Sequence, residues 1–187
     1  LGDVYKRQGE GESPLPLLIE TARALERAGA ELLAIPCNTA HFYLPQVQAA
    51  VGVPIVDMIG ETVHAIRESV VGLLATDGTG RARVYQRACA ARGIELLLPS
   101  SSDQRRVMDT IYEIKAGSPP ERFRDRMKEI IARLNTRGAE GAIIGCTELS
   151  LIPCVAPPVA VYDALDILAH RVVEISWGGQ DAGTPRP

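Results

Sequence analysis

Aromatic residues are scarce in this chain: 2 Phe, 1 Trp and 5 Tyr among 187 residues. So few rings cannot build the stacking surface that single-stranded nucleic acids use. Charge of one sign is lacking too. There are 20 basic against 23 acidic residues, a net charge of −3, and no block of Lys or Arg. The electrostatic footprint of a nucleic-acid binder is therefore absent. No run approaches the roughly 18 apolar residues of a membrane helix. No apolar stretch follows a basic start, so no secretory signal is read. The cysteines are Cys37, Cys89, Cys146 and Cys154, and none forms a Cys-x-x-Cys pair. Reduced thiols are the default in such a chain. A cytoplasmic protein with no nucleic-acid and no membrane partner is the expectation.

What is present is ordinary for a globular protein. Hydrophobic residues make up 46% and charged residues 23%, which excludes a disordered or collagen-like chain. A chain of this length buries about 70% of its unfolded surface and needs no disulfide or metal to hold a core. Helical and strand patterns alternate. Helices are predicted over 14–28, 61–69, 81–92, about 102–116, 118–137 and 164–176. Strands are predicted over 32–35, 54–56, 71–75, 94–98, 142–144 and 159–161. Six strands separated mostly by helices predict an α/β fold with parallel sheets, its ligand at the carboxyl ends of the strands.

An internal repeat sharpens this. Gly29-Ala30-Glu31 leads through an apolar strand to Pro36-Cys37, and Gly138-Ala139-Glu140 leads through another to Gly145-Cys146. Threonine follows each cysteine, as Cys37-Asn38-Thr39 and Cys146-Thr147. Two similar lobes related by a pseudo-twofold would set the thiols face to face across a cleft. A thiol between a strand and a helix start lies near free backbone N–H groups, which lowers its pKa toward neutrality. One thiolate and one thiol on opposite faces of a bound carbon form a base and an acid, and proton removal and delivery would invert that carbon. Cys89, inside a predicted helix, and Cys154, in a Pro-rich loop, read as packing residues.

Pro36-Cys37-Asn38-Thr39-Ala40-His41 and Gly145-Cys146-Thr147-Glu148 together resemble the cofactor-independent aspartate/glutamate racemase superfamily, most nearly its aspartate branch. Leu73-Leu74-Ala75-Thr76-Asp77-Gly78-Thr79 and Tyr112-Glu113-Ile114-Lys115 resemble further family segments. The resemblance implies two α/β lobes with the site between them, a homodimer, no cofactor and a small amino-acid substrate, aspartate first and glutamate next. It implies Cys37 and Cys146 as the acid/base pair and Asn38, Thr39 and Thr147 as holders of the α-carboxylate. Thr76 and Thr79 would line the second-lobe side, and Lys115 would meet an acidic side chain. Lys115 also reads as a solvated lysine at a helix end. Glu148 stands where glutamate racemases usually carry histidine. It would orient Cys146 or face solvent. His41 would cap the pocket wall or orient Cys37; a zinc half-site with Cys37 lacks a second half.

Lobe one is expected over 9–68 and 159–177, without its first strand, and lobe two over 69–158. Residues 1–8 do not resemble the family and read as a non-native leader; 178–187 read as a frayed tail. The chain is expected to be a fragment, of weak or no activity. Rival readings are a hydantoin racemase, a maleate cis–trans isomerase using cysteine as nucleophile, an arylmalonate decarboxylase, which needs only one of the thiols, a non-catalytic dicarboxylate-binding module, and a Cys37–Cys146 redox switch.

Overall fold

Strand β3 (Val70–Ala75) and strand β5 (Gly141–Gly145) pair in parallel over five residues, from Val71 opposite Gly141 to Ala75 opposite Gly145. Both are buried from Val71 and Gly141 onward, as uninterrupted apolar runs in a parallel sheet are. Strand β4 (Glu95–Leu97) flanks β3 and β6 (Ala160–Asp163) flanks β5, also in parallel, giving the order β4-β3-β5-β6. A second, two-stranded parallel sheet pairs β1 (Leu33–Ala34) with β2 (Ile55–Val56). The computed structural model describes residues 13–153 and 159–178. The predicted leader at 1–8, the tail beyond residue 178 and Cys154 lie outside the described residues. The α/β class with parallel sheets flanked by helices is as the sequence predicts.

Alternation along the central strands divides the larger core into two layers. Leu74, Ala142 and Ile144 face helices α6 (Ser101–Lys115) and α7 (Arg124–Thr136), where Val107, Ile111, Ile130 and Leu134 pack. Val71, Leu73 and Ile143 face the other way, against Val63 of α3 (Met58–Ala65) and Tyr85 and Cys89 of α5 (Val84–Ala91). The smaller sheet has its own core of Ala22, Leu33, Val47 and Ile55. Ala22 comes from α1 (Leu15–Arg27) and Val47 from α2 (Leu44–Gln48).

Several element boundaries differ from the predicted ones for local reasons. The helix predicted over 61–69 starts earlier, at Met58, because Asp57 caps it by accepting from the N–H groups of Ile59 and Gly60. The helix predicted over 81–92 is two: α4 (Asp77–Ala82) and α5, joined at Arg83, whose φ of 54° is left-handed. The helix predicted from about 102 starts at Ser101, capped by Ser100. The segment predicted as one helix over 118–137 opens with a 3₁₀ turn, Pro120–Phe123.

The expected assignment of 159–177 to the first lobe is corrected in part. Strand β6 belongs to the larger sheet, since Val161 and Tyr162 lie in register with Ala142 and Ile143. A short apolar run carries no mark of which sheet will take it. The last helix, α9 (Ala164–Gly178), does cross back: Ala164 and Leu168 pack with Val56 and Met58 beside β2. Strand and helix therefore tie the two sheets together.

Glycine at position 72 is a packing requirement. A Cβ there would come within 2.8 Å of Leu134 Cδ1, and Leu134 is only 1% exposed and has no room to retreat. Gly72→Ala is expected to lower unfolding stability by about 1–3 kcal/mol. Urea denaturation will show this as a lower midpoint at unchanged slope.

Candidate active site

Both cysteines stand just beyond the carboxyl end of a parallel strand. Cys37 follows β1 by three residues, and Cys146 is the residue after β5. Because Ala75 and Gly145 are register partners, Thr76 and Cys146 leave the larger sheet side by side.

The Cys37 turn is held by His41, which is 6% exposed. Its Nδ1–H donates to the Cys37 carbonyl at 2.9 Å, and its Nε2 accepts from the Met58 N–H at 3.0 Å. Only the neutral tautomer with the proton on Nδ1 serves both partners. His41 thus ties the turn after β1 to the first residue of α3. With both nitrogens committed to backbone, the zinc half-site reading falls. Among the described residues, no three His, Cys, Asp or Glu side chains are grouped to hold a metal ion.

The two residues after Cys37 reach across to the larger sheet. Thr39 opens a 3₁₀ turn (Thr39–Tyr43). Its Oγ1 lies 2.6 Å from Thr79 Oγ1 and 3.4 Å from Thr76 Oγ1, while Thr76 and Thr79 are 3.0 Å apart. Thr76 also caps α4 by accepting from the Thr79 N–H. Three hydroxyls singled out in sequence from two distant segments therefore form one cluster. Asn38 is 4% exposed, and its Oδ1 accepts from the Tyr85 hydroxyl at 2.6 Å. With Oδ1 engaged as an acceptor, Nδ2 is the donor end of the amide.

On the other side, Cys146 donates its S–H to Glu148 Oε2 at 2.9 Å. Glu148 Oε1 lies 3.5 Å from Lys115 Nζ, and Thr147 donates to Glu148 Oε2 at 3.3 Å. Thiol, carboxylate and ammonium form a chain. Burial pushes the Cys146 thiol up to about 12, with the Glu148 hydrogen bond and charge adding to it. This corrects the expectation of a lowered thiol at this position. The helix that follows, α8 (Thr147–Ser150), is a single turn, so its dipole is small. The neighbouring anion and the lost solvation outweigh it. Burial would raise the Glu148 carboxyl too, but the thiol hydrogen bond, its own N–H and Lys115 hold it below its ordinary value. Among the described residues Cys37, Cys89 and Cys146 are not in disulfides.

Sequence reading missed three contributors. Tyr85 and its bond to Asn38 carry no local motif. Ser150 donates to Asp163 Oδ1 at 2.8 Å, linking the turn after Cys146 to the residue that caps α9 through the Leu165 N–H. The Met58 N–H needs the fold to reach His41. A cavity of about 690 Å³ lies nearby, lined by Thr76, Asp77, Leu98, Gln104 and Met108 among others, but neither cysteine borders it. The chemistry-bearing groups, rather than this hollow, are taken as the candidate site.

The chain is similar to known proteins in sequence and in fold. Residues 3–172 match the family model described as Asp/Glu/hydantoin racemase. The chain is 27% identical over 161 residues to a broad-specificity amino-acid racemase of Bacillus subtilis, covering 83% of this chain and 69% of that one. The structure superposes on an aspartate racemase homologue from Pyrococcus horikoshii with a TM-score of 0.79 at 32% identity, over 93% of this chain and 79% of that one. An aspartate racemase of Picrophilus torridus shares the fold, with a TM-score of 0.76 at 21% identity over 93% of this chain and 73% of that one.

The thiols should differ in reactivity. Cys37 is half-buried, whereas Cys146 and Cys89 are buried, with thiols pushed up to about 12 and about 11. At pH 8, iodoacetamide is expected to label Cys37 before Cys146 and Cys89, read by peptide mass spectrometry. Glu148 favours the protonated thiol, so its removal lowers the Cys146 pKa. Glu148→Gln should speed Cys146 labelling about tenfold, one pKa unit's worth of thiolate.

Proposed function

The chain belongs to the Asp/Glu/hydantoin racemase family and is an isomerase of the amino-acid racemase type; on that premise we propose that it inverts the α-carbon of aspartate with Cys37 and Cys146 as the two acid/base groups. The observation that carries this reading is the Thr39–Thr79 contact of 2.6 Å. It joins the turn bearing Cys37 to the edge of the larger sheet at which Cys146 emerges.

In the proposed reaction the Cys37 thiolate takes the α-proton. The electron pair left on carbon is delocalised into the α-carboxylate. The Cys146 S–H delivers its proton to the opposite face, and Cys146 becomes the thiolate. For the other enantiomer the same two transfers run in reverse. No proton or electron is gained or lost overall, and no cofactor takes part. Cys146, raised to about 12, starts as the acid. Asn38 Nδ2, Thr39 and Thr147, its hydroxyl turning away from Glu148, would donate to the α-carboxylate, where charge accumulates as the proton leaves. Thr76 and Thr79 would wall the pocket, and His41 would orient Cys37 through its carbonyl. Glu148 would orient the Cys146 proton, and Lys115 would meet the substrate's acidic side chain. A homodimer working in the cytoplasm completes the proposal.

A broader substrate range has one observation in its favour. Lys115 is already paired with Glu148 at 3.5 Å. A neutral side chain would leave that pair intact, whereas an acidic one must compete for the ammonium.

Proton NMR of L-aspartate in D₂O tests the proposal. Loss of the α-proton signal, with D-aspartate accumulating, is the expected result. Cys37→Ala and Cys146→Ala should each slow L/D interconversion by about 10²–10⁴-fold, the usual worth of a positioned acid or base. Interconversion by Cys146→Ala at the unsubstituted rate would sink the two-thiol mechanism. Faster exchange on neutral amino acids than on aspartate would establish the broader range.

A further inference from the structure

Tyr85 touches both cysteine turns. Its hydroxyl donates to Asn38 Oδ1 at 2.6 Å, next to Cys37. Its ring lies over Gly145, next to Cys146: a Cβ on Gly145 would sit 3.2 Å from Tyr85 Cε2. A side chain at Gly145 would crowd this ring together with Ala75 and Leu73. Tyr85 is 0% exposed and Asn38 4%, so neither can swing to solvent. Thr62, a fully buried hydroxyl on α3, faces the same phenol. Arg83, a non-glycine residue at φ 54°, turns α4 into α5 two residues before Tyr85.

From this geometry we infer that Tyr85 is a positioning residue that registers the two cysteine turns against each other and holds the Asn38 amide in one orientation, Nδ2 toward the cleft. An asparagine side chain alone has no preference between its two amide orientations, because oxygen and nitrogen are nearly the same size. A donor on Oδ1 removes the choice. Burial raises the phenol above its ordinary value, so it stays protonated and remains a donor. Tyr85 acts through Asn38 and does not itself exchange protons with the substrate. The consequence for catalysis rests on the racemase reading above.

Tyr85→Phe keeps the ring and removes the hydroxyl. Kinetics of α-proton exchange should show KM rising about tenfold to hundredfold, the worth of a hydrogen bond to a charged group. The change in kcat should be smaller. The loss in Asn38→Ala should not grow when Tyr85→Phe is added, because both act on one contact. In ¹⁵N-labelled protein, the side-chain amide signal that disappears in Asn38→Ala identifies Asn38, and Tyr85→Phe should shift it. Cys89→Ala, one turn further along α5 in the same core, is the control. It should lower Tm while leaving the Asn38 signal and KM in place.

An unshifted Asn38 signal in Tyr85→Phe overturns the inference whatever the kinetics. Additive losses in the double variant, or an equal rise in KM from Cys89→Ala, overturn it as well. A native chain that exchanges no α-proton would sink the racemase reading, and the Asn38 signal would then decide the role of Tyr85 by itself.

Discussion

The parallel pairing of β3 with β5 is the constraint on which the rest of the structure depends. Two strands buried on both faces have no solvent to satisfy their backbone groups, so their ladder must form along its whole length. That ladder sets Ala75 opposite Gly145 and delivers Thr76 and Cys146 to one edge. The helices on either face then have fixed beds. Leu134 fills the space over Gly72, and Tyr85 fills the space over Gly145. Tight packing at these two glycines transmits the geometry of the strands to the side chains at their ends.

The two thiols sit in unlike surroundings, although they occupy like positions at strand ends. Cys146 is buried and donates to a carboxylate; Cys37 is half-buried and is held through its carbonyl by an imidazole. An anion beside one thiol keeps its proton on, which suits an acid at the start of a reaction. In the proposed two-thiol reaction Cys146 starts as the acid and Cys37 as the base, and these unlike surroundings suit that division. The Lys115 ammonium offsets the Glu148 charge, which stabilises the carboxylate beside Cys146.

The repeat visible around the cysteines extends further in the structure than in the sequence. Strands β1 and β2 pair in parallel, and Asp57 follows β2 and caps α3. Strands β5 and β6 pair in parallel, and Asp163, the last residue of β6, accepts from the N–H of Leu165 in the first turn of α9. Helices α3 and α9 then share the apolar contact in which Met58 and Ala164, each at the first position of its helix, are fully buried. The aspartates recur because each strand must hand its chain to a helix whose first N–H groups need an acceptor.

Much of this was legible in the sequence because it depends on local pattern. The apolar runs that became β3 and β5, the alternation of strand and helix, and the Cys-Asn-Thr and Cys-Thr-Glu motifs required only neighbouring residues. Thr39, Thr76 and Thr79 could be picked out as candidates from motifs, but their bonding to one another could not. What the tertiary structure alone decided is every relation between segments distant in the chain: the sheet that takes β6, the hold of His41 on Met58, the hold of Tyr85 on Asn38. It also decided the protonation of Cys146. A strand end before a helix pointed to a lowered thiol, yet burial and Glu148 raise it. Local pattern follows from backbone geometry and periodicity within a few residues. Solvation and charge are set by whichever groups the completed fold brings within a few ångströms.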